Sequence, residues 1–131
     1  MKKLLILLCI VLPVLAKSQA HLGATMKEIK DFYPNNIFTS DVTVSGNRYI
    51  TTEMDRGSFT YYFDSTGLSY LCTLIPKDLF KLNEQVQEFN HEYVITSDTT
   101  WKAYLDGGSI MYIKLSYSPQ YKLSSFIYSS N

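Results

Sequence analysis

The chain has 131 residues, with 12 basic and 12 acidic side chains and two cysteines. This length fits one ordinary domain. The zero net charge argues against a nucleic-acid-binding protein, which should carry a basic excess. Two cysteines are too few for the disulfide framework of a small secreted fold. We therefore expect one folded unit that has no nucleic acid as a partner.

The first twenty residues have the organisation of a secretory signal peptide. Lys2 and Lys3 form a basic start, and a short apolar run follows them. Small residues then precede a cleavage site after Ala20, and Ala16 offers a second cleavage site. The apolar run is too short to span about 30 Å of hydrocarbon. We therefore expect export to the periplasm or the extracellular space, and no membrane span in the mature chain.

Cleavage after Ala20 changes the composition of the functional chain. Three lysines leave with the signal peptide, so the mature chain has nine basic and 12 acidic side chains. Cys72 is then the single remaining cysteine. A lone thiol in an oxidising compartment is safest when it is buried. Since Cys72 belongs to a predicted strand and shares its inward face, we expect its thiol to lie in the core.

Two segments predict helices. Thr25 and Glu28 form a capping box at the start of the first segment, and Pro34 ends it. The second segment opens at Pro76. Its apolar side chains repeat with helical spacing at Leu79, Leu82, Val86 and Phe89. We expect both helices to pack on one face of a sheet, and recognition of a partner by the second helix is the alternative.

Two short segments rich in aspartate and glycine predict β-hairpin turns, because glycine supplies the positive φ that such turns need. These segments are Asp55-Arg56-Gly57-Ser58 and Asp106-Gly107-Gly108-Ser109. Two-residue loops would pair Met54 with Phe59 in the first hairpin. In the second hairpin they would pair Leu105 with Ile110, which places Trp101 opposite Lys114.

A tandem repeat is predicted by the spacing of these features. The two turns lie 51 positions apart, and the same offset relates Thr25 to Pro76. Coinciding offsets predict two units of a helix followed by three or four strands, at residues 22–75 and 76–131. Chance similarity of two hairpin turns is the alternative. The sequence thus predicts one α+β domain over residues 21–131, with two helices packed on one face of an antiparallel sheet.

One sheet face of the second unit is predicted to be too apolar for open solvent. In the expected register its residues are Tyr104, Met111, Ile113, Leu115, Tyr117, Phe126 and Tyr128. Exposed apolar patches mark interfaces, and tyrosine and methionine are common there. We expect this face to bind an envelope or extracellular protein, or a second copy of the chain. A register slip of one residue is the alternative, which would make the set core and expose Trp101, Tyr112 and Lys114.

Catalytic motifs are absent from the sequence. No P-loop, dinucleotide fingerprint, zinc-ligand spacing or nucleophile elbow occurs. His91 follows the second helix, where an imidazole suits the negative end of the helix dipole. His21 would be the mature amino terminus, where it could chelate copper only with further ligands. We expect no catalytic, cofactor or metal site, and a binding module; a small periplasmic enzyme acting on an envelope polymer is the alternative.

The segment Leu22-Gly23-Ala24-Thr25-Met26-Lys27-Glu28-Ile29, placed after a signal peptide, resembles the first helix of the beta-lactamase-inhibitor-protein superfamily. It is also similar to the start of the small lipoprotein of the outer-membrane assembly machinery. The resemblance implies a helix packed on an antiparallel sheet, repeated in tandem, and a concave, aromatic-rich sheet face that binds a partner. The chain has neither the inhibitors' disulfides nor a lipobox, so only the architecture and the use of a sheet face carry over.

Overall fold

The computed structural model describes residues 20–130. The predicted signal peptide, apart from Ala20, lies outside the described residues. Within these residues the chain forms two helices and eight strands, in the order α1 (Met26–Phe32), β1 (Phe38–Val42), β2 (Arg48–Met54), β3 (Gly57–Phe63), β4 (Ser69–Pro76), α2 (Leu79–Glu92), β5 (Val94–Ser97), β6 (Thr100–Tyr104), β7 (Ile110–Ser118) and β8 (Leu123–Ser130). A short 3₁₀ turn at Asp106–Gly108 lies between β6 and β7.

All eight strands belong to one antiparallel sheet. Its spatial order is β1-β2-β3-β4-β8-β7-β6-β5, and every neighbouring pair is antiparallel. Each group of four consecutive strands forms a meander, and β4 and β8, the last strands of the two meanders, pair at the centre. The predicted α+β class, with an antiparallel sheet and two helices, is therefore confirmed.

The start of α1 follows its sequence signal. The Thr25 hydroxyl accepts a hydrogen bond from the Glu28 amide at 3.2 Å, and the Glu28 carboxylate accepts one from the Thr25 amide at 3.2 Å. This reciprocal arrangement is the predicted capping box. It fixes the helix so that Ile29 is fully buried in the core.

The second helix begins three residues later than the sequence predicts. Pro76 ends strand β4, and the Asp78 carboxylate caps α2 by accepting a hydrogen bond from the Lys81 amide at 2.8 Å. Leu79 is the first residue of the helix, and its side chain is 73% exposed. Phe89, at the other end of the predicted apolar stripe, is buried against the sheet.

The first hairpin has the predicted loop length of two residues, but the loop lies one residue earlier in the chain than expected. Met54 pairs with Gly57, not with Phe59, so Asp55 and Arg56 form the loop. The register therefore differs by two residues from the predicted one. A shift of two leaves every side chain on its predicted face, because side chains alternate with a period of two. Phe59 and Tyr61 accordingly lie in the core, as the alternation predicts.

A β-bulge between β3 and β4 corrects a second detail. The register shifts between Tyr62 and Phe63, so that Phe63 pairs with Ser69. Ser69 is therefore buried, whereas the sequence pattern places it on the outer face. Tyr70, expected on the core face, becomes 39% exposed. A bulge adds one residue to one strand, which reverses the facing of the residues beyond it.

The core lies between the sheet and the helices. Both helices contribute to it, α1 through Ile29 and α2 through Phe89. The Phe89 ring lies 5.4 Å from that of Trp101 and 5.3 Å from that of Phe126. Cys72 is fully buried in the same cluster, as the sequence predicts. Burial raises the pKa of its thiol far above the usual range, because the thiolate loses its hydration.

Candidate interaction surface

The helices cover one face of the sheet, and four of the seven residues predicted to bind a partner point toward them. Met111, Ile113, Phe126 and Tyr128 are each at most 5% exposed. Leu115 is partly buried against the same core. The prediction that these five form an exposed face is therefore wrong, since they supply the interior. The alternative stated with it, in which the whole set is core, is correct for these five residues.

The physical reason is a one-residue difference in the second hairpin. Ala103 pairs with Met111, and Trp101 pairs with Ile113. The predicted two-residue loop would have paired Ala103 with Tyr112. The longer connection through the 3₁₀ turn, closed by a hydrogen bond from the Leu105 amide to the Ser109 carbonyl at 2.9 Å, shifts the register by one. A slip of one exchanges the two faces of the second strand.

Trp101 is buried in this register, contrary to the alternative that would expose it. It is 1% exposed, and its indole N–H donates to the Asn90 side-chain oxygen at 2.8 Å. The other two residues of that alternative do face outward, since Tyr112 is partly exposed and Lys114 is exposed. The two remaining members of the predicted contact set are exposed as well, Tyr104 at 69% and Tyr117 at 60%. They do not lie together, because Tyr104 faces away from the helices and Tyr117 shares the facing of Leu115.

The side of the sheet that faces away from the helices is hereafter called the open face. Residues directly paired across neighbouring strands share a face. One row of such partners crosses the whole sheet on this side. It consists of Asp41, Tyr49, Tyr62, Leu71, Ser129, Tyr112, Lys102 and Val94. The open face therefore has three tyrosines and a leucine along one line.

Aromatic contacts fix two parts of this row. The rings of Tyr49 and Tyr62 have centroids 5.5 Å apart. Partial burial raises the pKa of Tyr62, while a hydrogen bond with Thr73 opposes that rise. On the other half of the sheet, the Lys102 ammonium lies 5.7 Å from the centroid of the Tyr112 ring, within cation–π distance. The tyrosines thus present rings held in place by their neighbours.

A second row of the open face carries hydroxyl groups. Thr39, Thr51, Thr60 and Thr73 are successive partners on β1 to β4. The hydroxyls of Thr51 and Thr60 are hydrogen-bonded at 3.0 Å. On β8 and β7 the row continues with Ile127 and Lys114. The open face therefore combines aromatic, aliphatic and hydroxyl groups, a composition suited to a protein interface.

Charges on the open face are segregated by sign. The eight strands carry five charged side chains, namely Asp41, Arg48, Glu53, Lys102 and Lys114. Arg48 alternates onto the helix-covered side with Ile50. The other four face outward, with the two acids on β1 and β2 and the two lysines on β6 and β7. Within residues 20–130 no ion pair joins any of these four.

A separate polar cluster joins the first hairpin to α2. The Arg56 guanidinium lies 2.8 Å from a Glu88 carboxylate oxygen and donates to the Gln85 side-chain oxygen at 2.9 Å. Lys81 reaches Asp55 at 3.0 Å. These groups line a cavity of about 280 Å³. Because its charged groups are paired with each other, the cluster serves to hold the turn on the helix.

His21 lies against the core instead of in solvent. Its Nε2 is 2.8 Å from the Tyr33 hydroxyl, and Tyr33 is hydrogen-bonded in turn to Tyr61. Burial lowers the pKa of His21 to about 4. In the described part of the chain, no group of three or more His, Cys, Asp or Glu side chains could hold a metal ion. His91 lies in the last turn of α2, which ends at Glu92, and not after the helix as the sequence predicts.

Comparison of the chain with protein-family models, with curated proteins and with solved structures found no match. No helix between residues 20 and 130 is long and apolar enough to cross a membrane. Sequence reasoning does not predict the open face as the contact surface, although its tyrosines lie in strands whose side chains alternate between the two faces. The missing information was the register of the second hairpin, which decides the side on which each residue of β7 lies.

Proposed function

We propose that the chain is an exported, non-enzymatic binding module that contacts a protein partner through the open face of its sheet. The observation that carries the proposal is the composition of this face, in which Tyr62, Leu71 and Tyr112 lie on one line across strands that neither α1 nor α2 covers. An open sheet face that only meets water is ordinarily polar. The proposal keeps the predicted mode of binding and moves it to the opposite face.

The proposed tandem repeat gives this surface its layout. Each half consists of one helix followed by four strands, and the last strands of the two halves are neighbours. Buried positions also correspond: Ile50 and Thr52 in the first half match Trp101 and Ala103 in the second. A concave, aromatic-rich sheet face built from two such units is what the resemblance to the beta-lactamase-inhibitor-protein superfamily implies.

Site-specific photo-cross-linking in the producing cells tests the proposal. A benzophenone amino acid replaces Tyr62 in one variant and Tyr112 in another, both on the open face. The control variant carries it at Tyr121, which is 68% exposed in a turn outside the sheet. We expect covalent protein adducts from the first two variants and none from the third. Equal adducts from all three, or none from any, would overturn the proposal.

Mass spectrometry of the chain recovered from the same cells tests its export. Intact mass of the chain recovered from the cell envelope or the medium should correspond to a mature start at residue 21, or at residue 17 for the second cleavage site. Recovery of the full-length chain from the cytoplasm alone would contradict the predicted signal peptide.

A further inference from the structure

The signs of the charges on the open face point to one particular occupant. Asp41 and Glu53 lie on the two strands at one edge, and Lys102 and Lys114 lie on the second and third strands from the other edge. Adjacent strands are about 4.8 Å apart, so Glu53 and Lys102 are separated by about 24 Å. Attraction over that distance within one chain is screened in physiological salt. Since no ion pair among the described residues joins these four side chains, an oppositely charged surface outside the chain can pair with them.

We propose that the partner on the open face is a second copy of this chain, bound face to face about a two-fold axis parallel to the strands. This inference rests on the proposed function, because it names the partner of the same surface. Rotation about that axis reverses the strand order, so that β1 and β2 of one copy face β5 and β6 of the other. The acidic end of each face then meets the basic end of its partner, twice in each dimer.

The central residues are complementary under the same rotation. The axis keeps each residue in its own row, so Tyr62 on the third strand of the order faces Tyr112 on the sixth strand of the second copy. Tyr49 faces Lys102 of the second copy, and Asp41 lies beside that lysine. The arrangement places aromatic rings in the middle and ion pairs at the rim, as in specific interfaces.

The area is sufficient for a stable dimer. Seven strand spacings and strands of about six residues give a face of about 700 Å² per copy. Specific interfaces bury about 1,200–2,000 Å² in total, or about 600–1,000 Å² per partner, and this face falls within that range. Face-to-face sheets stack about 10 Å apart, which side chains of tyrosine, lysine and glutamate bridge.

Charge reversal and exchange test the inference. One variant carries Lys102→Glu and Lys114→Glu, and a second carries Asp41→Lys and Glu53→Lys. Each variant brings like charges to neighbouring positions across the interface, so we expect the dissociation constant of the dimer, measured by analytical ultracentrifugation, to rise at least about tenfold. A control with Lys30→Glu and Lys77→Glu makes the same change in net charge as the first variant, at exposed sites outside the sheet, and it should leave dimerisation unchanged.

Mixing provides the decisive result. The acidic variant and the basic variant should form a heterodimer with each other, because each contact then joins opposite charges. A monomeric wild type at all concentrations would overturn the inference, and so would a failure of the two variants to combine while both remain folded by circular dichroism. If photo-cross-links from Tyr62 join the chain to a different protein while the chain itself is monomeric, the inference fails and the proposed function stands. If no adduct forms at all, both fail.

Discussion

The most demanding stability prediction concerns Gly57, the first residue of β3. Its φ is +146°, a backbone conformation that is essentially confined to glycine. A β-carbon at this position would lie 2.1 Å from the Ile75 carbonyl oxygen and 2.9 Å from the Lys77 amide nitrogen. Both contacts are with backbone, so no side chain can move aside to relieve them. Gly57→Ala therefore forces β3 and β4 apart at the end where Gly57 pairs with Pro76.

The expected loss of stability has two parts. The unfavourable φ costs about 1–3 kcal/mol. Separation of the strand ends adds about 1 kcal/mol for each hydrogen bond that is lost there. We expect a total of about 3–5 kcal/mol, a large fraction of the stability of an ordinary domain. Gly107→Ala is the matched control, because Gly107 also has a positive φ, of +84°, but a β-carbon there would meet nothing within 4 Å.

Urea unfolding followed by circular dichroism measures both variants. We expect Gly107→Ala to lower the free energy of unfolding by only about 1–2 kcal/mol, the conformational part alone. Gly57→Ala should exceed that loss by about 1–4 kcal/mol. Equal losses within about 0.5 kcal/mol, close to the uncertainty of the extrapolation, would refute the argument that close approach of β4 requires glycine at this position.

Three further predictions follow from buried and paired groups. Burial lowers the pKa of His21 to about 4 in the folded state, against 6.5 when exposed. The unfolded chain therefore binds a proton first, and stability should fall by about 1–2 kcal/mol as the pH drops from 7 to 4, after allowance for the partial exposure of the imidazole. In matched urea titrations His21→Gln should abolish this part of the pH dependence, and an unchanged dependence would contradict the burial of His21. Arg56→Met should lower the free energy of unfolding by about 1–2 kcal/mol, because it leaves Gln85 buried without this donor and Glu88 without its partner; a double-mutant cycle with Glu88→Gln that shows no coupling would contradict the ion pair. Cys72 should resist a thiol reagent in the native protein and react at once in urea, since its side chain is fully buried, and rapid labelling of the native chain would contradict its place in the core.

Much of the fold follows from local signals in the sequence. Thr25 and Glu28 predict the start of α1 because the capping box uses only residues within one turn. Burial of Cys72 follows from alternation along one strand. The start of α2 was misplaced at Pro76 because a proline suits the first turn of a helix and the end of a strand equally well. The helix begins after Asp78 because the side chain of that residue caps it, and Pro76 therefore remains in the strand.

The facing of the second meander depended on a turn that local signals do not determine. Asp55-Arg56-Gly57-Ser58 and Asp106-Gly107-Gly108-Ser109 look alike in sequence, and yet the first is a two-residue loop and the second a 3₁₀ turn with both glycines at positive φ. A connection longer by an odd number of residues exchanges the faces of the following strand. The contact surface predicted for the second unit therefore lies mostly under the helices, on the opposite side of the sheet from the open face.

The positions of Lys102 and Lys114 favour the observed register of the second hairpin over the predicted one. In the predicted register Lys114 is opposite Trp101, so one face would hold both a lysine and the only tryptophan. A register shifted by one residue puts Lys114 opposite Thr100 and places it on the same side as Lys102. An unpaired lysine under the helices would be far more unfavourable than an exposed tyrosine. The requirement that both lysines reach water thus selects the observed register, and the same requirement gathers positive charge at one end of the open face, where a second copy can meet it.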